Sequence, residues 1–371
     1  MLSRRHLLLA MGAAVTVPAR GTAVEFPDVV PRALRFPEDF GAHPAFRTEW
    51  WYLTGWLGEA SKPLGFQVTF FRVRTDVDPE NPSAFAARQL VIAHAALADP
   101  ARGKLLVDER LARTGFGIVR AGTGDTDVRL DGWSLARDAA TDTYRARIAA
   151  RGFTLNLSAT GSGPPWLQGD AGVSRKGPLP AQASYYYSRP QLKVMAEIGV
   201  APEAAPTGRS GFSRDPLTGI AWLDHEWSSA ALAPDAAGWD WTGMNLDDGS
   251  ALLAFQIRRQ GASPDEEPLQ RYAAFRRSDG STQVVDPATV RFTPLRQWRS
   301  ARSRASWPIA QRITVGDRTF ETVPLMPDQE LDSRLTTGAV YWEGASSLLE
   351  GGRTVGCGYL EMTGYVSPLK L

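Results

Sequence analysis

Trp51-Tyr52-Leu53-Thr54-Gly55-Trp56-Leu57, followed after a short gap by Gly65-Phe66-Gln67-Val68, is the stretch on which the fold turns. A similar stretch comes later: Trp239-Asp240-Trp241-Thr242-Gly243-Met244-Asn245-Leu246, then Ala254-Phe255-Gln256-Ile257. Each reads as aromatic residues, Thr-Gly, a large apolar residue, a hairpin-like gap, then Phe-Gln and a β-branched residue. The offset is 188 at Thr-Gly and 189 at Phe-Gln. Aromatic and β-branched residues suit a pleated, half-buried surface, so each stretch predicts a strand pair. The likeness predicts two successive antiparallel β units. The boundary falls in the loop between Ala230 and Gly238, giving units of residues 27–234 and 235–371.

The rest of the chain agrees with an all-β class. Leu64 to Arg74, Leu90 to Leu97, Phe153 to Leu157, Tyr185 to Ile198 and Ala251 to Ile257 read as strands. So do Tyr272 to Arg276, Arg312 to Val315 and Ala339 to Trp342. Gly, Pro, Asn and Asp interrupt them at meander spacing, and no amphipathic helix exceeds three turns. Two barrels of about eight strands fit the length; closure hides strand edges and leaves room for one apolar ligand.

Of 371 residues, 41 are Lys or Arg and 40 are Asp or Glu, a formal charge of +1. That balance excludes a general electrostatic grip on nucleic acid. The lone Cys357 excludes an intramolecular disulfide framework. At the start, Ser3-Arg4-Arg5 precedes an apolar run to Val17, with small residues at Ala19 and Ala23. The run is too short to span a bilayer, which takes about 20 residues. Residues 1–23 therefore read as a twin-arginine-type signal peptide, and the expected location is periplasmic or secreted.

The densest chemistry is Trp222-Leu223-Asp224-His225-Glu226-Trp227. In a strand, alternate residues share a face. Asp224 and Glu226 then point one way with Trp222, and His225 the other way with Leu223 and Trp227. A carboxyl beside Trp in an apolar setting holds its proton more tightly and can act as an acid. Asp224, His225 and Glu226 are the candidate catalytic residues. A second cluster, His43-Pro44-Ala45-Phe46-Arg47-Thr48-Glu49-Trp50-Trp51-Tyr52, reads either as ligand wall or as a barrel plug with Glu49 paired to Arg47. Tyr341-Trp342-Glu343 and Gly358 to Tyr365 repeat the pattern of carboxylate beside aromatics, and packing is the favoured reading there. The candidate ligand wall is Glu49, Trp50, Trp51, Tyr52, Trp222, Trp227, Trp239, Trp241, Tyr341, Trp342 and Glu343. The spacing of His43, His94 and His225 shows no metal-ligand pattern. Phosphate-loop, dinucleotide and Gly-x-Ser-x-Gly motifs are absent, so no cofactor is expected.

These motifs, in this order, resemble one family. Phe46 to Tyr52, Ser188-Arg189-Pro190, Ala221 to Ser229, Gly238 to Trp241, Tyr341 to Gly344 and Gly358 to Tyr365 are similar to the AttH-like predicted secreted hydrolases. That family shares a superfamily with the carotenoid 1,2-hydratases. The resemblance runs from about Pro37 to Tyr365 and implies two tandem lipocalin-like β-barrels. It also implies a setting near lipid or lipoprotein traffic, since some relatives are encoded beside export-type ABC transporters. The hydratases carry Tyr-His-Asp-His, with the Asp as acid; Asp224 and His225 match its last two positions. Trp222 and Leu223 stand where they have Tyr and His. The expected function is binding of an apolar isoprenoid or acyl ligand, with acid-catalysed hydration or hydrolysis at Asp224. The alternative is a non-catalytic lipid or lipoprotein carrier, or an accessory to an ABC export system.

Overall fold

A computed structural model describes residues 24–161, 163–201, 216–263 and 266–369. The signal-peptide expectation, residues 1–23, lies outside the described residues. Thirteen strands form the first sheet. They are β1 (Thr48–Leu57), β2 (Leu64–Arg74), β3 (Gln89–Asp99), β4 (Lys104–Arg113), β5 (Val119–Ala121), β6 (Asp127–Leu130) and β7 (Trp133–Asp138). Then come β8 (Thr143–Ala150), β9 (Phe153–Thr160), β10 (Trp166–Leu167), β11 (Val173–Arg175), β12 (Ala183–Val200) and β13 (Leu217–Ser228). Their order is β4-β3-β2-β1-β13-β12-β9-β8-β7-β6-β5, with β10 and β11 on β12.

Ten strands form the second sheet. They are β14 (Ala236–Leu246), β15 (Ala251–Arg259), β16 (Gln270–Arg276), β17 (Thr282–Val284) and β18 (Val290–Arg299). The others are β19 (Ser306–Val315), β20 (Arg318–Pro324), β21 (Glu330–Ser333), β22 (Ala339–Glu350) and β23 (Arg353–Thr363). Their order is β17-β16-β15-β14-β23-β22-β20-β19-β18, with β21 on β22. All described pairings are antiparallel. Among the described residues the helical elements are two single 3₁₀ turns, Glu38–Phe40 and Pro287–Thr289.

Each sheet curls round its own core. In the first, Trp51, Phe66, Val91, Leu135, Leu155 and Leu223 meet in one enclosed cluster. The ladder stays open between its edges β4 and β5, and Arg110 of β4 reaches across to the inner strand β8, donating to the Ala149 carbonyl at 2.8 Å. The two barrels repeat one topology: an opening strand (β1, β14) pairs with its hairpin partner (β2, β15) and with the last strand of its unit (β13, β23).

The repeat read from sequence needs a correction in register. Leu53 and Phe66 face the first barrel's core, whereas Trp241 and Phe255, their counterparts at those offsets, face out of the second. A one-residue slip turns every side chain to the other face of a sheet. The matched residues are therefore not structural equivalents, although the architecture they predicted is correct.

The outer faces of β1, β13 and β12 pack against those of β14, β23 and β22. Strands covered on both sides lose the polar alternation of an exposed sheet. This is why β1 and β13 read as dense aromatic and apolar runs. Close approach requires small residues: a Cβ on Gly65 would lie 2.6 Å from that of Ala345. Trp56 donates to the Gly358 carbonyl at 2.9 Å, and the Gln191 backbone N–H to Asn245 at 2.7 Å. His94 of β3 also hydrogen-bonds Tyr341 of β22.

A candidate acid site between two barrels

Away from these close contacts the two sheets leave a cavity of about 330 Å³. Trp50, Phe71, Ile92, Trp239, Phe255 and Ile257 give it a largely apolar wall. Register lines up its polar groups. Tyr52 of β1, Asp224 of β13 and Ser188 of β12 form one cross-strand row; Trp50, Glu226 and Tyr186 form the next.

Asp224 is 3 % exposed, yet it borders the cavity. It accepts from the Tyr186 hydroxyl (2.5 Å), the Ser188 hydroxyl (2.6 Å) and the Trp222 indole (2.7 Å). Three of a carboxylate's four lone-pair directions are thus taken, and one remains for a proton. Burial pushes its pKa up to about 7, against the pull of those three donors and with help from the charge of Glu226. Tyr186 in turn accepts from the Trp241 indole of the second barrel at 3.0 Å, which ties the acid to both units. Glu226 accepts from Ser184 (2.5 Å) and pairs with Lys176 (3.0 Å). The Lys176 ammonium lies over the Phe255 ring, 4.3 Å from its centroid.

The opposite wall brings a second pair of acids. Trp241, Glu361 and Glu343 form a cross-strand row on β14, β23 and β22. Burial raises both carboxyls well above the usual range. On Glu343 the charge of Glu361 adds to it; on Glu361 the charges of Asp224 and Glu226 do, against a hydrogen bond from Trp239.

The other face of β13 carries a different network, inside the first barrel. Glu49, fully buried, accepts from His43 Nδ1 (2.7 Å), His225 Nε2 (2.9 Å) and Arg72 Nε (2.7 Å). His225 stacks on Trp51 at 4.5 Å, and His43 on Trp227 at 3.7 Å. Burial lowers the His225 pKa to about 4 despite Glu49. Neutral His225 then donates from Nε2 to Glu49 and accepts from Tyr187 at Nδ1 (3.0 Å). Burial also works against charge on His43, but hydrogen bonds to Asp39 and Glu49 outweigh it and raise its pKa. His43, Glu49 and His225 bring one ligand atom each within 4.8 Å of one another, a cluster their sequence spacing did not announce. Arg72 already neutralises Glu49 there, so the group reads as a closed ion network.

The structure sorts the sequence-predicted residues by face. Asp224, Glu226, Trp50, Tyr52, Trp239, Trp241, Tyr341 and Glu343 line the cavity, and Trp222 packs behind Asp224. Glu49 touches its rim but turns its carboxylate into the first barrel. His225, Trp51 and Trp227 also lie in that barrel, and Trp342 lies in the core of the second, donating to the Pro327 carbonyl at 2.9 Å. Arg47 pairs with Asp76, so the pairing considered for Glu49 with it does not form, and Arg189 pairs with Asp142. Sequence reasoning missed Lys176, Ser184, Tyr186, Ser188 and, as a site residue, Glu361. Period two along the strand from Tyr185 was the available signal: it places Tyr186 and Ser188 on one face.

Two all-β barrels packed across an acid-lined cavity define a lipocalin-like two-barrel class. The chain belongs to the AttH-like family, whose pattern matches residues 27–365. It is similar to a crystal structure of an AttH protein from Nitrosomonas europaea: 51% identity, 92% of this chain and 99% of that one, TM-score 0.82. The fold is shared with kievitone hydratase from Nectria haematococca at 15% identity, covering 90% of this chain and 94% of that one, with TM-score 0.65. CghA, solved with Sch210972, also shares it at 14% identity, covering 88% and 90% with TM-score 0.52. Comparison with curated proteins found no match.

Proposed function

We propose that the protein is an exported acid catalyst that binds an apolar isoprenoid or acyl ligand between its barrels and adds water across a carbon–carbon double bond. The observation that carries this reading is Asp224, a carboxyl on the wall of an apolar cavity whose pKa of about 7 keeps about half of it protonated at neutrality. A working pKa near ambient pH suits a general acid. Asp224 gives its proton to one alkene carbon, and the cation that develops on the other meets aromatic faces such as Trp241 and Trp50. Cation–π attraction contributes about 2 kcal/mol in a desolvated site. Water adds to the cation and loses a proton to the Asp224 carboxylate, which restores the acid. Glu226, on the same wall, orients that water. His225 takes no part, because the strand turns it into the first barrel.

The test uses farnesol in isotopically labelled water. The wild type is expected to place labelled hydroxyl on a tertiary carbon, and Asp224→Asn to abolish turnover while keeping farnesol binding, read by Trp fluorescence. Full turnover in the variant overturns the acid role. Binding without turnover in either protein is the result expected of a carrier.

A further inference from the structure

Besides Glu49 at the rim, four carboxyls line the cavity, Asp224, Glu226, Glu343 and Glu361, and among the described residues two cations, Lys176 and Arg72, border it. Both are committed: Lys176 to Glu226 at 3.0 Å, and Arg72 to Glu49 at 2.7 Å on the other face of the sheet. Glu343 and Glu361 form no salt bridge among the described residues. Glu343 is 5 % exposed and one of its oxygens, Oε2, has no hydrogen-bond partner. Tyr52, 4 % exposed, presents an equally unpartnered hydroxyl to the same cavity. Buried polar atoms are nearly always satisfied, so two orphans facing one cavity from opposite walls mark the position of a missing partner. Lys176 neutralises Glu226, which leaves Asp224, Glu343 and Glu361 without a counter-cation among the described residues, in a cavity that aromatic rings line. Such a wall favours a cation and disfavours an anion.

We propose that the Glu343–Glu361 wall binds the ammonium group of a primary amine carried on an apolar body. The amine donates N–H bonds to Glu343 Oε2 and to the Tyr52 oxygen, while its apolar body lies against Trp50, Trp239 and Ile257. Binding ionises one carboxyl of the pair, so the cation enters and a proton leaves. The inference concerns binding and is independent of turnover at Asp224.

The experiment titrates the purified full chain with decylamine, decanol and decanoate at neutral pH, by calorimetry in two buffers of different ionisation enthalpy. Decylamine is expected to bind at least tenfold more tightly than either relative, with buffer-dependent heat reporting about one proton released. A Glu343→Gln/Glu361→Gln double variant is expected to bind all three within about threefold of one another. Decanol or decanoate binding as tightly as decylamine overturns the proposal, and so does no decylamine binding, or a tenfold preference that survives the double substitution. The wild-type comparison decides the matter if the double variant fails to fold. Loss of labelled-water addition with an intact amine preference would remove the hydratase reading and leave this one standing.

Discussion

His225 and Asp224 are sequence neighbours on opposite faces of β13, and each sits in a buried acid network. On the His225 side every acid meets a donor cation: Glu49 has Arg72 and His43, and Asp39 has Arg32 and His43. On the Asp224 side the acids outnumber the cations, a carboxyl oxygen and a hydroxyl facing the cavity stay unpartnered, and a cavity separates the walls, whereas on the His225 side the unpartnered atom is the Trp227 indole nitrogen and no acid. Satisfied buried networks rigidify a core, whereas partly satisfied ones carry an unmet electrostatic demand. The first face therefore reads as structure and the second as site.

The sharpest way to break this contrast is Glu49→Gln. It leaves Arg72 and His43 buried without their counter-charge, and breaking such a pair is expected to cost about 3–5 kcal/mol, read by urea denaturation. A loss below 1 kcal/mol would show that the network is no structural keystone. Next in size is the pH dependence of Asp224→Asn. Folding raises the Asp224 pKa from 3.8 to about 7, so the native state holds this proton more tightly than the unfolded chain does. The stability it contributes is complete below the ordinary value and is lost as pH rises towards about 7. Asparagine has no such slope. Between those limits the stability gap should move by up to about 4 kcal/mol in the variant's favour; a gap that stays flat with pH contradicts the raised pKa. The smallest effect belongs to Glu343→Gln. A carboxyl already protonated and short of partners loses little on becoming an amide, so stability should change by less than about 1 kcal/mol. A loss approaching that of Glu49→Gln would erase the distinction between the two faces.

Much of this was legible in the residues. Period two assigned Asp224 and Glu226 to one face of a strand and His225 to the other, because a strand's geometry alone forces it. The aromatic runs at Trp50 to Tyr52 and Trp239 to Trp241 marked strands, and the structure shows them covered on both sides. Alternation does not say which covering layer is which, and so Trp51, Trp227 and Trp342 looked like ligand wall although they fill barrel cores. The edge strand β4, Lys104–Arg113, escaped notice because the consecutive charges Asp108, Glu109 and Arg110 break its apolar alternation in the middle. Glu361 was quoted in a motif and read as packing, since nothing nearby in sequence reveals that β22 sets Glu343 opposite it.

By itself the sequence determined an all-β chain of two successive units and its family, and it singled out Asp224 as the candidate acid. These rest on local geometry and on motifs contiguous in the chain. Only the tertiary structure decided that the site lies between the barrels and that Lys176, Tyr186, Glu343 and Glu361 join Asp224 there. It also decided that His225 belongs to Glu49. The physical reason is that strand register and sheet-on-sheet packing join residues from 38 to 176 positions apart. A shift of one residue in that register would turn each of them to the opposite face.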